Sequence, residues 1–155
     1  IISFYINNKL KIIFFILIII ISIISLLLLD SFRKKENNLI SEKYVQANLY
    51  LAANNTEKAK NIYEEIILSK NKFYSILSMN LILEKNLIKN KKKILEYFEI
   101  LENIKYSKDT SDLIKFKKSL YLINDGELEL GKNLLKELIS DNSILEEAAR
   151  EIIQK

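Results

Sequence analysis

Apolar residues fall into two regimes along the chain. Residues 12–29 form eighteen consecutive positions without a charge, nearly all Ile, Leu and Phe, with no polar stripe. After a short polar juncture at 35–38, apolar positions recur every three or four residues, in stretches separated by Asn, Asp, Ser or Gly clusters. That spacing marks one face of a helix, whereas a half-buried strand alternates at every second residue. The second regime predicts seven helices, over 41–53, 56–69, 72–86, 90–103, 110–124, 127–140 and 144–154. Connections this short fold each helix back along its predecessor, so the helices pair as antiparallel hairpins.

The first regime, as a helix rising about 1.5 Å per residue, would extend about 27 Å, close to the hydrocarbon thickness of a bilayer. A helix apolar on every side is expected to span a membrane, because burying it in protein would take a much larger chain. A cleaved signal peptide fits less well, since the run ends at Leu26, Leu27, Leu28, Leu29 and Asp30 rather than in small residues. Lys9 and Lys11 before the run, against Arg33, Lys34 and Lys35 after it, leave its orientation open. The expected fold class is all-α: a transmembrane anchor and juncture over 1–40, then a short α-solenoid of about three hairpins and a capping helix over 41–155.

An internal repeat organises the second regime. In the first hairpin Ala47, Tyr50, Ala59, Tyr63 and Ile66 place a small residue on each helix at the crossing, with aromatics beside them. The third hairpin repeats the spacing 72 residues later, with Ser119, Leu122, Gly131, Leu135 and Leu138. Between them lie Tyr74, Leu77, Ser78 and Leu81, then Ile94, Phe98 and Leu101 after a four-residue insertion. Helices approach to about 8–10 Å only where the crossing side chains are small. The last helix reads as a cap, with Ser143 and Glu146 as a capping box and an apolar stripe through Ile144, Leu145, Ala148, Ala149, Ile152 and Ile153.

The small–aromatic–small–aromatic order resembles that of tetratricopeptide repeats, which stack helix hairpins into a right-handed superhelix. One anchor followed by a few degenerate repeats is similar, more narrowly, to the YfgM-like family of ancillary Sec translocon subunits. That resemblance implies an inner-membrane protein with its repeats outside the cytoplasm, and protein partners such as translocon components or exported polypeptides. Lys43, Gln46, Lys115 and Lys118 depart from the pattern, standing where bulky apolar residues are expected. The fifth helix has a second register open to it, turning Leu113, Phe116, Leu120 and Ile123 inward.

Composition narrows the chemistry. With no Pro and only 2 Gly, the chain lacks the residues that punctuate strands and hairpins. With no Cys and no His, it has no thiol or imidazole catalysis, no disulfide and no His or Cys metal ligand. The net charge of +4 gathers beside the apolar run, since from Ser41 onward 19 basic residues face 18 acidic ones. A nearly neutral repeat region argues against phosphate binding, and no nucleic-acid partner is expected. Gly126, Gly131 and Lys132 fit phosphate-loop spacing only as far as Asn133, where Ser or Thr should stand, so neither nucleotide nor cofactor is expected. Lys89, Lys91, Lys92 and Lys93 read as a solvated turn, and Glu64 with Glu65 or Glu146 with Glu147 point in different directions on their helices.

What remains is a protein-binding, non-catalytic surface. The repeat register assigns a partner groove to Tyr44, Asn48, Met79 and Ile82, with ordinary core as the alternative for the last two. The expected function is a membrane-anchored interaction scaffold that assists translocation or folding of exported proteins. The alternative is an assembly subunit of a larger membrane complex.

Overall fold

The computed structural model describes residues 2–154, and the side chains of 2–13, 16, 26, 27 and 29 lie outside the description. Seven helices follow in order: α1 (Ile2–Ala52), α2 (Thr56–Leu68), α3 (Tyr74–Glu84), α4 (Lys91–Glu102), α5 (Lys108–Asn124), α6 (Leu128–Ser140) and α7 (Glu146–Gln154). No strand occurs among the described residues. The chain divides into two compact units, Ile1–Leu39 and Ile40–Lys155.

The first unit corrects the anchor expectation. Among the described residues, no helix is long and apolar enough to cross a membrane. The expected span also rested on Ile12, Ile13, Ile16, Leu26, Leu27 and Leu29, whose side chains lie outside the described residues. Nor does the chain break at 35–38. Helix α1 continues through it, because Arg33, Lys34, Lys35 and Glu36 are good helix formers and Lys34 pairs with Asp30 at 2.8 Å, one turn back.

The second unit is built from helix hairpins, an all-α arrangement compatible with an α-solenoid. Its crossings sit where the small residues are: Ala47, Ala59, Ser78 and Ser119 have no exposed surface. Around Ala47 and Ala59 the core gathers Tyr63, Ile66, Met79, Ile82, Ile94 and Phe98. A smaller cluster of Leu135, Leu138 and Ala149 joins α6 to α7. Gly131 marks the tightest approach, where an added Cβ would lie 2.5 Å from the Ile123 side chain and 2.7 Å from the Ser119 carbonyl oxygen. Helix α5 buries Ser119 and Leu122 and also packs Phe116 and Ile123, of its second register, partly against Leu135, Leu138 and Ala149, while Leu113 stays 37% exposed. Ile114, 1% exposed, joins the core at a position the repeat spacing does not mark.

Helix ends follow a common device. Asn54, Asn86, Gly126 and Asn142 adopt left-handed backbone after α1, α3, α5 and α6. In each case the following amide bonds back five residues, as Asn55 does to the Tyr50 carbonyl at 2.8 Å and Glu127 to that of Leu122 at 2.8 Å. These are Schellman closures, which Asn and Gly favour because they tolerate positive φ. Gly126 is therefore a turn residue rather than part of a phosphate loop, at φ +88°.

The same device removes the expected capping box. The Ser143 amide already donates to the Leu138 carbonyl at 3.0 Å, which leaves Glu146 no amide to reach back to. Glu146 instead pairs with Arg150 at 2.7 Å, and the Ser143 hydroxyl accepts from the Leu145 amide at 3.2 Å. Ile144, placed in the capping stripe by its spacing, is 72% exposed, because α7 begins two residues beyond it. Ala149 alone of that stripe is fully buried, with Ile152 and Ile153 packed partly against it.

Candidate interaction groove

Helix α3 carries more apolar surface than one core face needs. Ser75, Ser78, Met79 and Ile82 form its buried stripe. A second stripe, Phe73, Ile76, Leu77, Asn80 and Leu83, follows the same helical spacing around the side. This second face looks toward α5 across two cavities. One, of about 380 Å³, is lined by Lys72, Phe73, Ile76 and Leu77 at the start of α3 and by Tyr106 and Thr110 at the start of α5. The other, of about 300 Å³, is lined by Leu83, Glu84 and Asn86 at the end of α3 and by Lys117, Leu120, Tyr121 and Asn124 toward the end of α5. The two helices therefore run in the same direction, with a cavity at each end of the seam between them. Seven residues separate Ile76 from Leu83, about 10 Å along the helix axis.

Two buried polar atoms, one on α3 and one in the lining of the first cavity, lack partners. The Asn80 Oδ1 and the Tyr106 hydroxyl are buried without a hydrogen-bond partner. Burial pushes the Tyr106 phenol up to about 12, so it stays a neutral donor throughout the physiological range. Phe73, 62% exposed, stands at the open rim.

The four groove residues assigned from the repeat register fall elsewhere. Met79 and Ile82 are 1% and 0% exposed and sit in the core, the alternative the sequence left open for them, although Ile82 also lines the 300 Å³ cavity. The reason is rotational. The register put the open face of α3 on Met79 and Ile82, whereas those positions meet α2 and α4 and the open face lies on Ile76, Leu77 and Leu83. Tyr44 is half-buried against the rings of Tyr63 and Tyr74, at 6.0 and 5.4 Å. Asn48 is tied internally, donating to the Tyr44 carbonyl at 3.0 Å and accepting from the Tyr63 hydroxyl at 2.8 Å. Asn48 ties α1 to α2 within the first hairpin, and Tyr44 reaches α3 of the next through Tyr74. The excess of Ile and Leu on 74–84 was the signal for a second working face.

The lysines that depart from the repeat pattern serve as interhelical ties. Lys43 reaches Glu65, Lys115 reaches Glu137 and Lys118 reaches Glu102, at 2.8, 2.9 and 2.8 Å. Side chains this long can cover apolar surface with their stems while the ammonium groups pair with carboxylates. The lysine cluster at 89–93 is likewise partly spoken for. Lys91 bridges Asp125 and Glu127 at 2.8 and 2.7 Å, and Lys93 pairs with Glu64 at 2.6 Å. Among the described residues, no group of three or more Asp or Glu side chains is placed to hold a metal ion.

Comparison of the chain with family models, with curated proteins and with solved structures finds no match in any of the three.

Proposed function

We infer that the unit 40–155 is a non-catalytic scaffold that binds polypeptide segments of other proteins along the seam between α3 and α5. The observation that carries this reading is the pair of cavities between α3 and α5, one of them lined by Tyr106, whose hydroxyl has no hydrogen-bond partner. Each cavity can take an apolar side chain, and the Tyr106 side chain, which lines one of them, brings an unpartnered hydroxyl for a backbone group of the segment. A three-per-turn extended segment rises about 3.1 Å per residue, so its residues i and i+3 match the ~10 Å spacing. The absence of Cys and His supports a binding rather than a chemical role. A hairpin stack of the tetratricopeptide kind, as the small–aromatic order suggests, would present such a seam between successive hairpins.

A photo-crosslinking residue at Phe73 tests the reading. Adducts with other polypeptides are expected there and not from the same residue placed at Glu151, which is exposed on α7. Equal adduct yields at both sites would remove the groove.

A second reading, an assembly subunit of a larger complex, draws on Val45 and Leu49. They are 55% and 67% exposed, one turn apart on α1. An end hairpin with an uncovered apolar edge is the kind of surface a neighbouring subunit covers. Recovery in a stable complex that is lost on Leu49→Glu, with Phe73 crosslinks absent, would favour this reading over the first.

A further inference from the structure

A second apolar surface lies on the α4–α6 side of the same unit, away from the α3–α5 seam. A cavity of about 350 Å³ opens between α4 and α6 over the flank of α5. Leu95, Leu122, Leu130 and Leu134 supply its apolar lining. Leu130 is 55% exposed although it stands beside that lining, and Leu134 follows it one turn later on the same face. A helix is the occupant that suits two parallel ridges separated by a leucine floor, because its own i and i+4 side chains fit between them.

Charge decides what kind of helix. Glu99 lines the cavity and Glu96 stands one position beyond Leu95 on α4; both are exposed and neither is in an ion pair. The other acids at the rim are already neutralised, Glu102 by Lys118 and Glu137 by Lys115. The exposed Lys92, at the start of α4, offsets one charge of the remaining pair. Lys118, on the α5 floor, is held by Glu102, so the surface is mostly apolar with a net negative charge of one along its α4 edge.

We propose that this surface docks a cationic amphipathic helix of a partner protein, its leucine-type residues entering between α4 and α6 and its Lys or Arg side chains reaching Glu96 and Glu99. Long cationic side chains suit the arrangement, since their stems cover apolar surface while the charges meet the carboxylates. The chain's overall charge of +4 repels a cationic helix, so selective capture at this place reads out the local field and not the global one.

The test uses the full chain and two fluorescein-labelled synthetic helices with Leu at positions i, i+3, i+4 and i+7. One carries Lys at the remaining positions and the other Glu. The Lys helix is expected to bind at least about tenfold more tightly than the Glu helix, with the preference shrinking as salt rises. Glu96→Lys with Glu99→Lys should abolish the preference, and Leu130→Glu should abolish binding. All three positions are exposed, and unchanged circular dichroism confirms that the variants fold. Glu151→Lys, exposed on α7 and outside this lining, should leave Lys-helix binding unchanged. Equal binding of the two helices, indifference to the Glu96 and Glu99 changes, or loss of the preference on Glu151→Lys would each overturn the proposal. So would a self-associating chain whose dimer is dissociated by Leu130→Glu, since the occupant would then be a second copy. None of these outcomes touches the α3–α5 seam, which Phe73 crosslinking tests separately.

Discussion

At the scale of single residues the structure depends on a few contacts where no larger or differently charged group fits. Ala59→Phe would force a ring into a fully buried crossing and is expected to cost about 1–3 kcal/mol by overpacking. A thermal melt checks it. Gly131→Ala sets two effects against each other. Alanine gains about 1 kcal/mol of helix propensity over glycine, but its Cβ would press on Ile123 and on the Ser119 carbonyl, at about 1–3 kcal/mol. The backbone oxygen cannot swing aside, so net destabilisation is expected, read as a lower Tm. Tyr106→Phe should run the other way. It removes a buried hydroxyl that has no partner, so stability should hold or rise, while binding along the seam weakens. Asp112 supplies a pH dependence. Burial pushes its carboxyl up, but hydrogen bonds from Lys108 and Ser143 outweigh that and hold it below the usual carboxylate range. Its contribution is complete above the unfolded value of ~3.9 and is lost as pH falls through the lowered folded value. Asp112→Asn should therefore flatten the fall in Tm below about pH 4.

At the scale of helices, the ends are set by backbone chemistry that is only partly legible in the sequence. Asn54, Asn86, Gly126 and Asn142 can be read as stops because Asn and Gly tolerate left-handed backbone. Lys70 adopts the same conformation, at φ 57°, without the chemistry that favours it. Lys70→Gly should relieve up to about 1 kcal/mol, visible as a modest rise in denaturant midpoint. The small residues at hairpin crossings were legible for a related reason, since a fixed interaxial distance demands them at fixed spacing. The rotation of α3 was not. When both faces of a helix are apolar, periodicity alone does not say which is core, and Met79 and Ile82 compete with Ile76, Leu77 and Leu83 on equal terms. The packing of α2 and α4 around Ser75, Ser78, Met79 and Ile82 decides it, and that is tertiary information. The capping box failed likewise, because the amide it needed was already taken by the closure of α6.

For the whole molecule, the two units differ in what holds them. The unit 40–155 owes its cohesion to interlocked crossings and to ion pairs that link one hairpin to the next, Lys91 to Asp125 and Glu127 among them. Its repeat order, legible from a 72-residue shift between matching small and apolar positions, accounts for a series of hairpins and for a seam between them. The eighteen-residue apolar run suggested more than the described residues of the first unit bear out, since a continuous helix is present without a membrane-length apolar segment. The proposed role requires that the α3–α5 seam receive polypeptide. Hydrogen exchange of the full chain, with and without reduced, carboxymethylated α-lactalbumin as an unfolded probe, tests it most directly. New protection is expected over 73–84 and 106–124. Unchanged exchange there, or protection confined to α6 and α7, would contradict it.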